Sequence, residues 1–131
     1  MQLQDAVGNY VTANTTITTT TETVSVTSPL AHVNRNSAIV LIMAYAELTL
    51  GTNTTAVTQG IRRGTAITDT LVNEQNANQI QTAAGSSEHY SIVCFEQLQS
   101  EQVVQYVHTL KQTAATGNGT ILSAGIAVLI I

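Results

Sequence analysis

SAIVLIMAYAELTL, residues 37–50, is the stretch whose reading decides the fold class. Its even positions are apolar throughout (Val40, Ile42, Ala44, Ala46, Leu48, Leu50), whereas its odd positions change character halfway. Ile39, Leu41, Met43 and Tyr45 are apolar; Glu47 and Thr49 are not. Successive side chains of a strand point to opposite faces, so this spacing describes one long strand whose even face meets a core along its full length. Its odd face is oily over the first half alone. A small domain has few ways to cover both faces of one strand, and packing against another copy of itself is one of them.

The composition agrees with a strand-rich assembly. In 131 residues, 44% are hydrophobic and 9% charged, against roughly a quarter charged in ordinary globular proteins. Much of the surface must therefore be Thr, Gln, Asn, Ser and small apolar groups, as in a packed assembly. Threonine occurs 22 times, and β-branched residues favour strands over helices. The length suits one domain. A net charge of −4, with Arg62-Arg63 as the one basic cluster, argues against nucleic-acid binding, which needs several cations on one surface. Cys94 is the single cysteine, so no intrachain disulfide framework is expected.

The N-terminus MQLQDAVGNY lacks the charged and apolar regions of a signal peptide. The longest uncharged apolar run, Ala38 to Ala46, is too short to span a membrane. Synthesis in a cytosol is the expectation, with a route other than a signal peptide if the chain works outside, and a membrane span is not expected.

Outward from residues 37–50, alternation marks further strands. On the N-terminal side, Val24 and Val26 alternate with Thr23, Ser25 and Thr27 before Pro29, and Pro29 to Asn36 reads as a connection. Thr18 to Thr21 has no apolar face, so residues 1–21 read as a Thr-rich arm or edge strand in need of a neighbour, and residues 22–131 as the domain proper. On the C-terminal side, a turn at Gly51-Thr52-Asn53 leads into a strand over Thr54 to Gly64, then a short strand around Ile67 to Val72. Asn73 to Asn78 reads as loop, followed by a short strand near Gln79 to Thr82 and a turn at Gly85-Ser86-Ser87. Longer strands are expected at Glu88 to Leu98 and Val103 to Thr113, joined by a turn or helical turn at Gln97 to Gln102. Asn118-Gly119 between two strand-like runs is the strongest short-range hairpin signal. The last run, Thr120 to Ile131, is apolar on both faces and belongs inside a sheet, since an open edge of this kind aggregates. About eight or nine strands at turn-length intervals and no helix describe an all-β antiparallel sandwich or jelly roll.

The succession AELTLGTNTTAVTQGIRRGTAI, SEHYSIVCFEQ and YVHTLKQTAATGNGTILSAGIAVLII resembles short proteins encoded among phage virion genes. Those proteins resemble trimeric jelly rolls of the tumour necrosis factor type, used as head decoration, head fibre or tail-associated knobs. The resemblance covers roughly residues 22–131; the Thr-rich arm has no counterpart in it. It implies a homotrimer with the C-terminal strand near a threefold axis and the N-terminal segment joined to the particle or to a neighbour. It transfers no catalytic residue.

The residues that could carry chemistry read as structural. His32, His89 and His108 are not spaced as a zinc site, and no metal or cofactor is expected. Cys94 lies in the apolar run IVCF, where a thiol acts as a small buried hydrophobe more readily than as a nucleophile beside His89 or His108. Glu88, Glu96 and Glu101 could pair as acid and base, but with no Trp and one Phe the chain lacks the stacking aromatics of a sugar cleft. Asp69 and Glu74 lack calcium-loop spacing. An enzyme is not expected. Arg62 and Arg63 invite carboxylate partners among Glu47, Glu88 and Glu96, within or between subunits.

The expected function is a structural virion protein, a capsid-decoration or head-fibre module that assembles with itself, as a trimer, and with a major capsid or other virion protein. Its interface would draw on Ile39, Leu41, Met43, Tyr45, Arg62, Arg63, Tyr106, His108, Leu129 and Ile131. Two other readings stand beside it. One is a receptor- or glycan-binding module using loops at Asn73 to Asn78 and Gly85 to Glu88. The other is a filament subunit whose arm completes the next subunit's sheet.

Overall fold

A computed structural model describes residues 2–78 and 87–131. Among them no helix forms, and two antiparallel sheets lie face to face. The first sheet contains β1 (Asp5–Val11), β2 (Thr15–Ile17), β5 (Ala38–Thr49), β8 (Ser87–Leu98) and β11 (Gly119–Ile130). Its order is β1-β11-β5-β8, with β2 also paired to β11. The second contains β3 (Thr23–Thr27), β6 (Ala56–Arg63), β7 (Thr70–Asn78) and β10 (Tyr106–Thr113), in the order β3-β10-β6-β7. A two-stranded ribbon pairs β4 (Ala31–Val33) with β9 (Gln102–Val104).

β5 and β11 occupy the middle of the first sheet because both are apolar on two faces. The even positions of β5 are buried one after another, from Ala38 at 2% exposure through Val40, Ile42, Ala46 and Leu48 at 0%. Beside them the register places Ile126, Val128 and Ile130 of β11 and Ile92 and Cys94 of β8, all in the same core. The second sheet covers this layer with Val26, Val57, Ile61, Tyr106 and Leu110.

A bulge between Ile121 and Ser123 changes the phase of β11, so Ile121 and Ala124 both reach the core. Simple alternation puts Leu122 with the buried set; the bulge leaves it half-buried instead. A second irregularity, opposite His108 and Thr109, lets the neighbours Ser25 and Val26 of β3 both be buried.

Four expectations change. The stretch read as a connection at Pro29 to Asn36 contains β4. Asn73 to Asn78, read as loop from its polarity, is the body of β7, an edge strand whose partner β6 supplies the pairing that apolar alternation usually announces. The single run Val103 to Thr113 is two strands, β9 and β10, broken at Gln105, whose amide donates to the Ser28 carbonyl at 2.7 Å. The segment Asn118-Gly119 makes no hairpin, because β10 and β11 belong to different sheets and the connection crosses between them. The short strand expected near Gln79 to Thr82 and most of the turn at Gly85-Ser86-Ser87 lie outside the described residues, and Ser87 opens β8.

The N-terminal segment is taken up within the chain. β1 pairs with β11 from Asp5↔Ile130 to Val11↔Ala124, and β2 continues along the same strand. Polar clasps add to the ladder: Asp5 accepts from the His32 backbone N–H at 2.7 Å, and the Asn9 amide donates to the Thr27 carbonyl at 2.9 Å. The His32 N–H contact is the main reason that the Asp5 carboxyl stays below its ordinary range.

Gln112, fully buried, ties together segments next to the crossing at Asn118-Gly119, its Nε2 reaching the Gly117 carbonyl at 3.4 Å. Its Oε1 accepts from the Gly51 N–H at 2.6 Å and the Thr54 hydroxyl at 3.2 Å, while its Nε2 donates to the Thr19 carbonyl at 2.8 Å. One side chain thus joins the β5–β6 turn to the segment between β2 and β3. Gly51 lies so close to the backbone of residue 117 that an added Cβ would meet the Gly117 carbonyl oxygen at 2.0 Å. Backbone cannot yield there as a side-chain tip can. Gly51→Ala is expected to destabilise the fold by about 3 kcal/mol through overpacking, read as a lower urea midpoint at unchanged slope.

Candidate functional site

The face of the first sheet that points away from the core is the most unusual surface of the molecule. Register defines it row by row across β1, β11, β5 and β8. One row is Ala6, Leu129, Leu41 and Phe95; the next is Gly8, Ala127, Met43 and Val93; the third is Tyr10, Gly125, Tyr45 and Ser91. At the end of the strands, Ile131 and Ile39 exchange two backbone hydrogen bonds of 3.0 and 2.9 Å, which adds a fourth row with Gln97. No charged residue falls in these four rows.

Strands about 4.8 Å apart and rows about 6.8 Å apart give this field a span of roughly 500 Å². That is the scale of the largest apolar patch on a typical monomer, a size that commonly marks an interaction site. Phe95, Tyr10, Val93 and Ile39 are 66%, 63%, 54% and 49% exposed. Leu41, Met43, Tyr45, Leu129 and Ile131 are half-buried by their neighbours on the sheet.

Beyond the third row the face turns polar, at the position where the odd side of residues 37–50 loses its oil. Tyr45 stacks on His89 with ring centroids 5.8 Å apart, and its hydroxyl lies 2.8 Å from His89 Nδ1. Glu47 stands opposite His89 in register and accepts from the Ser87 hydroxyl at 2.7 Å.

The ten residues expected at an interface divide into three groups. Ile39, Leu41, Met43, Tyr45, Leu129 and Ile131 share the outer face just described. Arg62 and Arg63 do not; both are engaged within the chain. Arg62 donates to Glu22 through Nε at 3.1 Å and Nη2 at 3.0 Å, and through Nη1 to the Asp69 carbonyl at 2.8 Å. Arg63 donates to Glu96, with Nε at 2.9 Å, and Glu96 also accepts from the Tyr106 hydroxyl at 2.6 Å. Glu96 was among the partners anticipated for the arginines; Glu22 was not, because nothing local in the chain signals that β3 runs two strands away from β6.

Tyr106 and His108 correct the expected set, since both are 0% exposed inside the sandwich and neither can reach another subunit. β10 turns them toward the first sheet. Burial and the Glu96 contact push the Tyr106 phenol far above its ordinary range. His108 lies between Ser25, whose hydroxyl is 2.6 Å from Nδ1, and Gln59, whose Oε1 is 3.0 Å from Nε2. Gln59 donates through its amide to the Ser91 carbonyl of β8 at 3.0 Å, which leaves Oε1 as the acceptor and assigns the imidazole proton to Nε2. The ring links β3, β10 and β6 within the second sheet, and the Gln59 amide carries the connection on to β8 of the first.

Cys94, 3% exposed, faces the core, and burial pushes its thiol up to about 11, the wrong direction for a nucleophile. His89 lies on the opposite face of β8 from Cys94, and His108 is held by Ser25 and Gln59. Asp69 accepts from the backbone of Ala66 and Thr65 at 2.9 and 2.8 Å, a turn-closing role that lowers its carboxyl below the usual range. Among the described residues no group of three or more His, Cys, Asp and Glu could hold a metal ion, and no helix is long and apolar enough to cross a membrane.

Comparison with solved structures places this sandwich among jelly-roll proteins. Eiger TNF from S. frugiperda matches 96% of this chain and 91% of its own at a TM-score of 0.54 and 9% identity. A chain of the T=1 particles derived from infectious bursal virus matches 98% of this chain at 0.56 and 6% identity. This chain spans about a third, 32%, of that longer one. A Bacillus endospore appendage, from a family of disulfide-linked pili, matches 97% of this chain and 89% of its own at 0.44 and 20% identity. No protein-family model and no curated relative matches. At these identities the likeness is one of fold: an antiparallel β-sandwich of the jelly-roll kind.

Buried His108 gives this fold a pH dependence. Burial pulls its pKa down from 6.5 to about 4, so between those values the unfolded chain binds a proton that the native state refuses. The contribution is fully present above pH 6.5 and is lost as pH falls toward 4, amounting to roughly 3 kcal/mol at most. Urea midpoints measured at intervals from pH 7 to pH 4 are expected to fall through this window. The same series on His108→Gln is expected to be flatter.

Proposed function

We propose that the chain is a structural protein of a virus particle, of the phage head-decoration or head-fibre type, which works as a homo-oligomer, a trimer, held through the outer face of the β1-β11-β5-β8 sheet. The single observation that carries this reading is the uncharged apolar field of Leu41, Met43, Val93, Phe95, Leu129 and Tyr10, which the other described residues leave half-buried or exposed. Interfaces between permanent partners resemble a core cut in half, and this face has that character. The fold likeness to a chain of infectious bursal virus particles and to a TNF protein supports the reading, as does the resemblance of residues 22–131 to phage virion proteins. In this reading the partners are further copies of the chain and a major capsid or other virion protein.

The pairing of β1 with β11 weighs against the filament reading, in which residues 1–21 leave their own subunit to complete the next.

Light scattering on the purified chain is expected to give a mass about three times that of the monomer at micromolar concentration. Met43→Lys places a charge in the middle of the field without touching the core. It is expected to yield monomers with the far-ultraviolet strand signature intact. A wild-type chain that stays monomeric would overturn the assembly reading, and absence of the chain from purified particles would overturn the virion assignment.

A further inference from the structure

The outer face of the second sheet gathers charge, whereas that of the first excludes it. The chain has four Lys and Arg and eight Asp and Glu, and four of those twelve line one trough there: Glu22, Arg62, Glu74 and Lys111. The trough has a volume of about 440 Å³ and runs over Thr58 of β6. Register places Lys111 of β10, Thr58, and Asn76 of β7 in one row, and Gly60 and Glu74 in the next. Lys111 and Glu74 therefore stand diagonally across β6 from each other. The four charges are not equivalent. Arg62 and Glu22 neutralise each other through two hydrogen bonds, their side chains 17% and 19% exposed. Lys111 and Glu74 are exposed, and among the described residues neither enters an ion pair. Asn76 accepts from the Thr58 hydroxyl through Oδ1, which leaves its NH2 as a donor beside Glu74.

We propose that this trough docks an extended segment of a partner protein that carries a basic residue and, two positions away, an acidic one, the base on Glu74 and the acid on Lys111. Charge complementarity selects this chemistry. The trough holds one uncompensated charge of each sign, so a ligand of a single sign is repelled at one end, and a neutral ligand leaves both charges without a counter-charge. Strand spacing puts the backbones of Lys111 and Glu74 about 12 Å apart. The ammonium and carboxylate of a free amino acid sit on one carbon, too close together to meet both. Same-face residues of an extended segment stand about 6.8 Å apart, a span that the Lys111 and Glu74 side chains close from either end. The described lining holds no aromatic ring, so a sugar finds no stacking surface there. This face is opposite the apolar field of the first sheet, so the docking site stands independently of the self-association reading.

The probe is the peptide acetyl-Thr-Lys-Thr-Glu-Thr-amide, titrated to millimolar concentration into the whole isotope-labelled chain while backbone amide shifts are followed. Saturable shifts are expected at Lys111, Glu74 and Asn76, with binding that weakens as salt is added. The isomer acetyl-Thr-Lys-Glu-Thr-Thr-amide, whose two charges point to opposite faces, is expected to bind at least about fivefold less well. Lys111→Glu is expected to lose binding to a similar degree with the strand signature kept, because the position is exposed. Lys111→Glu combined with Glu74→Lys in one chain is expected to regain it, the peptide lying in the reverse direction. Absence of saturable shifts, equal binding of the two isomers, undiminished binding by Lys111→Glu, or no recovery in the exchanged chain would each overturn the docking site. None of these outcomes bears on the oligomer mass by which the self-association reading is judged.

Discussion

Burial of the even face of β5 is the constraint on which the rest of the structure depends. Val40, Ile42, Ala46 and Leu48 reach 0% exposure because β11 and β8 extend the same apolar layer on either side and the second sheet closes over all three. A strand in this position cannot be at an edge, so β5 and β11 become central, and the shorter or more polar segments β1, β2 and β7 take the margins. Covering one face of β5 in this way leaves its other face to solvent. The apolar field of Ile39, Leu41 and Met43 is therefore a consequence of the same strand that builds the core.

Polar side chains determine how the two sheets sit on each other. Gln112 anchors the β5–β6 turn and Thr19; His108 and Gln59 link β3, β10, β6 and β8; Glu96 gathers Arg63 and Tyr106 from the opposite sheet. Each is buried or nearly so, and each has its donors and acceptors met, the condition under which a buried polar group can be tolerated. Such bonds are directional where apolar contact is not, so they favour one register between sheets over its neighbours. The charge-poor composition follows from the same economy: few charges are present, and both Arg62 and Arg63 are committed to carboxylates inside the chain.

That commitment alters the view of the surface. Residues that stand out in the sequence as chemically eventful (the arginine pair, the lone cysteine, the histidine of β10) are used to hold the sandwich together. The uncovered apolar face is built instead from residues of little individual distinction, Gly8 and Gly125 among them. Gly8 and Gly125 lie far apart in the chain and come within one row of each other when β1 pairs with β11.

Alternation in residues 37–50 and 120–131 was sufficient to show strands, a core on one side and uncovered oil on the other, because strand periodicity is a local property of the backbone. With the absence of helical spacing it was also sufficient for the all-β sandwich class. Pairing was not legible. Asn118-Gly119 carries the local chemistry of a hairpin yet joins two sheets, and Asn73 to Asn78 carries that of a loop yet pairs with β6. Likewise nothing in the run YVHTL says that Tyr106 and His108 face inward to Glu96 and Gln59. Those outcomes depend on which distant strand lies alongside and which face it covers. They are long-range matters of hydrogen-bond satisfaction and shape that only the assembled tertiary structure decides.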